Sequence, residues 1–290
     1  MTLWRVTSPC TVRCVGPSAQ PVPATTAARR LAAVTATVGR AFRDGERLAD
    51  PLLLRERARS VLGALGVTLE TQGVPLPSVA PDGRGTGGSG ADGRATGGTG
   101  PPGTLIVANH ISWLDAVALL AVVPTPLLAK RDVAGWPVLG RLAGRAGTLF
   151  LDRDAVRTLP DAVAEIAAVL RSGRNVALFP GATTWCAPPG GAFRRATFQA
   201  AVDAGAPVQP VSLGYRQFGA PSTVPAYVGA ASFGTSLRRV ARASGLSVTV
   251  RAHPPFASDG LTRRELAARA QASVRGALEA PAPTRLRVPV

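Results

Sequence analysis

The chain contains two histidines, and one of them stands where a base would be useful. His110 follows an apolar run, 104–109, that reads as a buried strand. It therefore falls at the carboxyl edge, where open α/β sheets place their sites. Asp115 comes five residues later, in the first turn of the helix predicted next. A histidine folded back over that turn brings one ring nitrogen against the carboxylate. The carboxylate then orients the ring and stabilises its charged form, leaving the other nitrogen free as a general base. The same residues have a second meaning. Ser112-x-x-Asp115 is also a variant capping box, in which the aspartate serves the helix N-terminus and does no chemistry. His253 precedes Pro254 and Pro255 near a strand end and reads as structural.

The other reactive types offer less. Three cysteines exclude a disulfide scaffold and fit a reducing compartment. Cys10 and Cys14 have three residues between them and no second pair or histidine beside them. They read as two unpaired thiols in a loop, and no metal is expected. No G-x-S-x-G elbow is present, which argues against a covalent serine hydrolase. G-x-G-x-x-G occurs at Gly83, Gly85, Gly88 and again at Gly85, Gly87, Gly90. A match that repeats after two residues signals low complexity, and no Gly-Lys-Ser/Thr follows it.

Stepping out from His110, strands are expected at 66–76, 104–109, 125–130, 147–152, 175–180, 206–215 and 246–256. Helices are expected at 112–123, 136–145, 160–173, 194–204 and 262–278. Pro160 opens one helix and Gly173 closes it, as proline and glycine favour. Strands alternating with helices predict an α/β fold, a mixed and mostly parallel sheet flanked by helices. An irregular arm covers 1–24, a helical segment 25–64, the main domain 65–280 with a glycine-rich flexible insertion at 81–103, and a tail 281–290. In the helical segment Leu31, Val34, Val38 and Phe42 recur at helical spacing with arginines on their flanks. That stripe packs either on its own domain or on a membrane surface.

Charge narrows the partners. The chain has 33 Lys+Arg against 17 Asp+Glu, a net charge of +16, yet Lys130 is its single lysine. Two tyrosines give no stacking platform among the arginines, and no zinc-finger spacing occurs, so nucleic acid is not the expected partner. An anionic membrane surface is, because it needs only charge and an apolar face. The first ten residues contain no apolar signal core, and the longest apolar run, 116–123, is too short to span a bilayer. A peripheral protein is expected.

Asn109–Leu119 reads NHISWLDAVAL and resembles the first motif, Asn-His-x-Ser-x-x-Asp, of the glycerolipid acyltransferases, the 1-acylglycerol-3-phosphate O-acyltransferase family. The stretch 129–153 is similar to the family's second block, which ends Gly-x-x-Phe-x-x-Arg, here Gly147, Phe150 and Arg153. The third block is matched by 178–201 and the fourth by 206–215. The resemblance implies that His110 is the general base and Asp115 its orienting partner. It implies that Arg153 and the third motif, Phe179, Pro180, Gly181, Ala182 and Thr183, hold the acceptor, with Asn109, Ser112 and Phe150 as further binding residues. The family's third motif reads Phe-Pro-Glu-Gly-Thr, so Gly181 and Ala182 stand where a glutamate and a glycine are usual.

The implied activity is acyl transfer from acyl-CoA or acyl-carrier protein to the free hydroxyl of a lysophospholipid. The implied acceptor is 1-acyl-sn-glycerol-3-phosphate, giving phosphatidic acid at the cytoplasmic face of a membrane, with no cofactor beyond the acyl donor. The missing glutamate also fits a different lyso-lipid acceptor, such as lyso-ornithine lipid, or a catalytically weak lipid-binding relative.

Overall fold

The computed structural model describes residues 6–79, 85–86, 100–152, 155–186 and 190–279. Arg153, the tail 281–290 and most of the stretch 81–103 lie outside the described residues.

Ten strands are described: β1 (Thr68–Gly73), β2 (Ser78–Val79), β3 (Gly85–Thr86), β4 (Leu105–Ala108), β5 (Leu128–Lys130), β6 (Leu149–Leu151), β7 (Val176–Leu178), β8 (Val208–Gln217), β9 (Ala220–Pro221) and β10 (Leu246–Ala252). The α-helices are α1 (Ala24–Asp44), α2 (Pro51–Leu65), α3 (Leu114–Val122), α4 (Arg131–Ala134), α5 (Leu139–Arg145), α6 (Leu159–Arg171), α7 (Gln199–Ala204), α8 (Phe233–Arg242) and α9 (Arg263–Glu279).

The main sheet runs β1-β10-β8-β4-β7, with β9 added to β8. β1 is parallel to β10, and β4 is parallel to both β7 and β8. Only the pairings of β8 with β10 and β9 are antiparallel. This is the mixed, mostly parallel sheet that the strand–helix alternation predicts. β5 and β6 were expected as members of the sheet; they instead pair in parallel as a separate two-stranded sheet. A single parallel bridge, Leu127 to Ala177, connects their neighbourhood to β7.

β4 shows why this sheet has helices on both faces. All four of its residues, LIVA, are fully buried. Side chains alternate across a strand, so Ile106 and Ala108 join one core while Leu105 and Val107 join the other. The first core is closed by α2, α3 and α8 through residues such as Leu62, Leu114 and Val240. The second is closed by α6, α7 and α9 through Ile166, Ala201 and Leu266. The helix α8 was not foreseen, although Phe233, Leu237, Val240 and Ala241 recur in it at helical spacing.

The segment 25–64 is helical but broken. α1 ends at Gly45, and a 3-10 turn, Gly45–Ala49, leads to α2. Asp50 caps α2 by accepting from the Leu52 and Leu53 amides at 2.8 and 2.9 Å, and Pro51 begins it. Gly66 stops it in the left-handed conformation, φ 69°. The apolar stripe of α1 meets the domain, not solvent. Val34 is buried in the first core, with Leu31 and Val38 packed against it. Phe42 lies under the Arg145 guanidinium, 5.6 Å from the ring centre. Three arginines of the segment are tied to the protein, while Arg29, Arg40, Arg43 and Arg47 stay exposed. Arg30 donates to the Ala241 and Ala243 carbonyls, Arg59 to Ala121, and Arg57 pairs with Asp44 at 2.7 Å. Of the two readings of this stripe, packing on its own domain is the one these contacts support. An apolar row at helical spacing looks the same whether it faces lipid or a core, and here the core of α2 and α8 covers it.

Candidate active site

β4 ends at Ala108, and the next residue extends its pairing by other means. The Asn109 side-chain amide donates to the Leu213 carbonyl at 2.9 Å, and its oxygen accepts from the Leu213 amide at 2.7 Å. Asn109 thus fixes the strand end to β8, and the chain turns away from the sheet at His110. That turn carries the imidazole to the N-terminus of α3.

There His110 Nδ1 lies 2.8 Å from Asp115 Oδ2. The same oxygen accepts from the Ile111 amide at 2.6 Å and the Ser112 amide at 2.8 Å. Asp115 is fully buried. The capping and catalytic readings of this spacing were not exclusive: one carboxylate oxygen receives the loop's backbone amides and the imidazole together. Because an ionised carboxylate accepts, the ring hydrogen of a neutral imidazole sits on Nδ1, which leaves the Nε2 lone pair free. The His110 side chain keeps 23% exposure, so the ring is reachable. Its face is stacked on Phe179, ring centres 4.1 Å apart and planes 14° apart.

The other carboxylate oxygen has a partner that the sequence did not single out. Tyr215, on β8, donates its hydroxyl to Asp115 Oδ1 at 2.5 Å. Burial, then the adjacent Asp115 charge, push the Tyr215 hydroxyl well above its ordinary pKa. It therefore remains a donor. Its only sequence signal was an apolar-strand position near the end of the fourth block.

The expected binding residues divide between roles. Gly181 and Thr183 line a cleft with Asn109 and His110. Phe179 supports the imidazole. Ser112 is fully buried, and its hydroxyl accepts from the Leu114 amide at 3.2 Å, so it shapes the turn. Pro180 is buried and its carbonyl accepts from the Arg194 amide. Ala182 closes a turn onto the Phe179 carbonyl with φ 57°, a left-handed value that favours glycine. Phe150 lies half-buried on β6 and is not among the cleft residues. Arg153 lies outside the described residues.

The far wall of the cleft comes from α9, with Gln271, Val274, Arg275 and Leu278. The sequence marks 262–278 as a helix, and nothing in its period singles out Arg275. Two cleft residues carry buried nitrogens without a hydrogen-bond partner among the described residues, Arg275 Nε and Trp185 Nε1. Buried donors left unpaired are uncommon in folded chains, and these two belong to residues of the same cleft that His110 lines. His253 is elsewhere. Its Nε2 is 2.7 Å from the Ser212 hydroxyl, and burial, then Arg251, hold its pKa low, in keeping with the structural role expected for it.

Comparison with known proteins follows the same residues. Residues 99–214 match the family model described as Acyltransferase. A lyso-ornithine lipid O-acyltransferase of Pseudomonas aeruginosa is 39% identical over 186 residues, which cover 63% of this chain and 71% of that protein. A 1-acyl-sn-glycerol-3-phosphate acyltransferase of Neisseria meningitidis is 37% identical over 160 residues, covering 55% of this chain and 54% of that one. The crystal structure of the 1-acyl-sn-glycerophosphate acyltransferase PlsC of Thermotoga maritima superposes with a TM-score of 0.53 at 18% identity, covering 79% of this chain and 78% of that one. That likeness concerns the fold.

Proposed function

The chain belongs to the acyltransferase family, and we propose that it acylates the free hydroxyl of a lysolipid with His110 as general base. The observation that carries this reading is the dyad, a partly exposed imidazole whose Nδ1 is held by a buried carboxylate at 2.8 Å. A lysolipid hydroxyl is a poor nucleophile. Nε2 takes its proton as the oxygen attacks the thioester carbonyl of acyl-CoA or acyl-carrier protein. The new ester C–O bond forms, the C–S bond breaks, and the imidazolium returns the proton to the leaving thiolate. Asp115 stabilises the charged ring during transfer, and Phe179 keeps the ring from turning. No covalent acyl-enzyme is required.

The acceptor assigned first is 1-acyl-sn-glycerol-3-phosphate. The unpaired donors of Arg275 and Trp185 support it, since a phosphate monoester presents several acceptor oxygens to a guanidinium fork and an indole N–H. Lyso-ornithine lipid is the second reading. Two observations favour it: the longer match to a lyso-ornithine lipid O-acyltransferase, and Gly181 at the place of the family's glutamate.

Acceptor and product both partition into a bilayer, so the enzyme works at a membrane surface. No helix among the described residues is long and apolar enough to cross a membrane. The surface is reached peripherally, and the net charge of +16 favours an anionic leaflet.

Product analysis tests the function. Purified protein is incubated with oleoyl-CoA and, separately, lysophosphatidic acid and lyso-ornithine lipid. Phosphatidic acid formation that His110→Ala abolishes is the expected result. Product from lyso-ornithine lipid alone moves the assignment to the second reading. Lipid binding without any product overturns the enzymatic one.

A further inference from the structure

Cys10 and Cys14 read from the sequence as unpaired loop thiols, but folding brings a third to them. Cys186, which follows the third motif, joins the pair so that all three Sγ atoms lie within 4.8 Å of one another. Two local features make the convergence possible. The 3-10 turn Val12–Cys14, with Thr11 as its cap, folds the arm so that the Cys14 amide donates to the Thr11 carbonyl. Thiols four positions apart then face the same way. On the other side, the Cys186 amide donates to Cys10 Sγ at 3.4 Å, and the two sulfurs are 3.2 Å apart.

We propose that Cys10, Cys14 and Cys186 form a binding site for one thiophilic metal ion, of the zinc(II) type, that ties the N-terminal arm to the loop beside His110. The spacing fits. Zinc–sulfur bonds of about 2.3 Å put tetrahedral thiolates about 3.8 Å apart. The sulfurs here bracket that distance, one pair at 3.2 Å and all within 4.8 Å. A disulfide would use two of these thiols; the third, brought in from the same arm, is what a metal uses. Thiolates select soft and borderline ions over magnesium or calcium. The Cys186 amide hydrogen bond to Cys10 Sγ is the kind of outer contact that orients a thiolate ligand. Cys10 and Cys186 are half-buried and Cys14 is exposed, so the ion has an entry path and an open fourth position for water.

The tie has a structural consequence. The Trp185 amide, one residue before Cys186, donates to the His110 carbonyl at 2.9 Å. The arm is itself anchored to β8 and α8, through the Ala19 amide on the Gln217 side chain and the Val22 amide on the Arg242 carbonyl. An ion at the cysteines would therefore clamp the loop 179–186 between the arm and the base. Because the inference rests on the cysteines alone, it stands or falls apart from the acyl-transfer reading.

The test uses the full chain, stripped with a chelator under a non-thiol reductant and titrated with zinc(II) against a chromophoric competitor. One ion per chain is expected. Cys14→Ser, at an exposed position, should weaken binding at least about tenfold and Cys186→Ser at least about a hundredfold. Cobalt(II) in place of zinc should give a thiolate charge-transfer band that Cys14→Ser diminishes. Should Cys186→Ser fail to fold, the exposed Cys14→Ser variant still decides. No stoichiometric ion in the reduced chain overturns the proposal, as does affinity unchanged by Cys14→Ser. A Cys10–Cys186 disulfide in the untreated protein with no metal affinity after reduction also overturns it.

Discussion

Tyr215 reaches across 100 residues of chain to donate its hydroxyl to Asp115 Oδ1 at 2.5 Å, the oxygen that His110 does not use. The carboxylate is thus held at both ends, by β8 on one side and by the loop of His110 on the other. Tyr215→Phe removes the donor without opening a cavity, leaving Oδ1 buried and unpaired. A hydrogen bond to a charged group contributes roughly 2 kcal/mol, so stability should fall by about that much. Turnover should fall about tenfold, since the carboxylate that orients the imidazole loosens, while both substrate KM values hold. Equilibrium unfolding together with steady-state kinetics measures both. A loss of stability with unchanged kcat would leave Tyr215 as a packing residue only.

The same contact sets a pH dependence. The folded-state pKa of Tyr215 lies above its ordinary value of 10.0. Below about pH 10 the hydroxyl is protonated in both folded and unfolded chains, and its contribution is intact. Above that, the unfolded chain releases a proton that the folded chain keeps, so stability falls as pH rises. The wild-type Tm should decline from about pH 9.5 upward more steeply than that of Tyr215→Phe. Parallel curves for the two proteins would contradict this assignment.

His110→Ala should abolish turnover and leave the fold intact, because a ring at a strand end, 23% exposed, carries little of the core. Asp115→Asn is not the mild change that its size suggests. Both carboxylate oxygens accept, so an amide NH2 must oppose a donor, whichever way it turns. A stability loss of about 3 kcal/mol should accompany the loss of activity. Near wild-type stability in Asp115→Asn would mean that the donors crowding this carboxylate contribute little.

The pairing of His110 with Asp115 was legible in the sequence because their spacing is local: five residues link a strand end to a helix start. The parallel sheet was legible for a similar reason, since β4 is a continuous apolar run and its neighbours alternate with helices. What sequence did not supply was whatever arrives from far along the chain. Tyr215, Arg275 and Cys186 reach their neighbours only through the sheet order and the packing of α9, and no local period announces them. Residues of the motifs were also easier to find than to assign. Asn109 and Ser112 look like ligand contacts by type, and folding uses both to build the turn that carries His110.

Arg275 and Trp185 should hold the acceptor's anionic group. Arg275→Gln keeps most of the side chain's length and a donor but removes the charge. KM for the lysolipid should rise about tenfold or more, while KM for acyl-CoA stays within about twofold, as befits a contact to one substrate. The reverse pattern would move the donor thioester's own phosphates to this wall of the cleft.

The third motif of this chain bears two departures, and they differ physically. Ala182 occupies a left-handed φ of 57°, which costs an alanine about 1 kcal/mol relative to glycine. Ala182→Gly should recover a good part of that, visible as a raised unfolding midpoint in denaturant. Gly181 is not in that region, and a Cβ added there would meet nothing nearer than the Thr183 carbonyl at 3.9 Å. Gly181→Glu has room for its Cβ and should place a carboxylate in the cleft near His110, its folding checked by its unfolding midpoint. Its effect then reads as chemistry: a changed ratio of kcat/KM between lysophosphatidic acid and lyso-ornithine lipid, measured side by side.

Val34 keeps 8% exposure and packs into the core that contains Leu62, Leu114 and Val240. Val34→Ser deletes apolar volume and inserts a hydroxyl there, which should cost about 2 kcal/mol. For a chain of this size that lowers Tm by roughly 4 to 8 °C. Leu52, 63% exposed at the start of α2, is the contrasting position. Leu52→Ser should leave Tm unchanged within about a degree, since no buried area is lost. Sedimentation with anionic vesicles adds the functional half of the test. If the α1 stripe is core, as its packing shows, the folded Val34→Ser protein should sediment with vesicles as the wild type does. Vesicle binding that drops in Val34→Ser while Tm holds would mean that α1 leaves the domain to meet the bilayer.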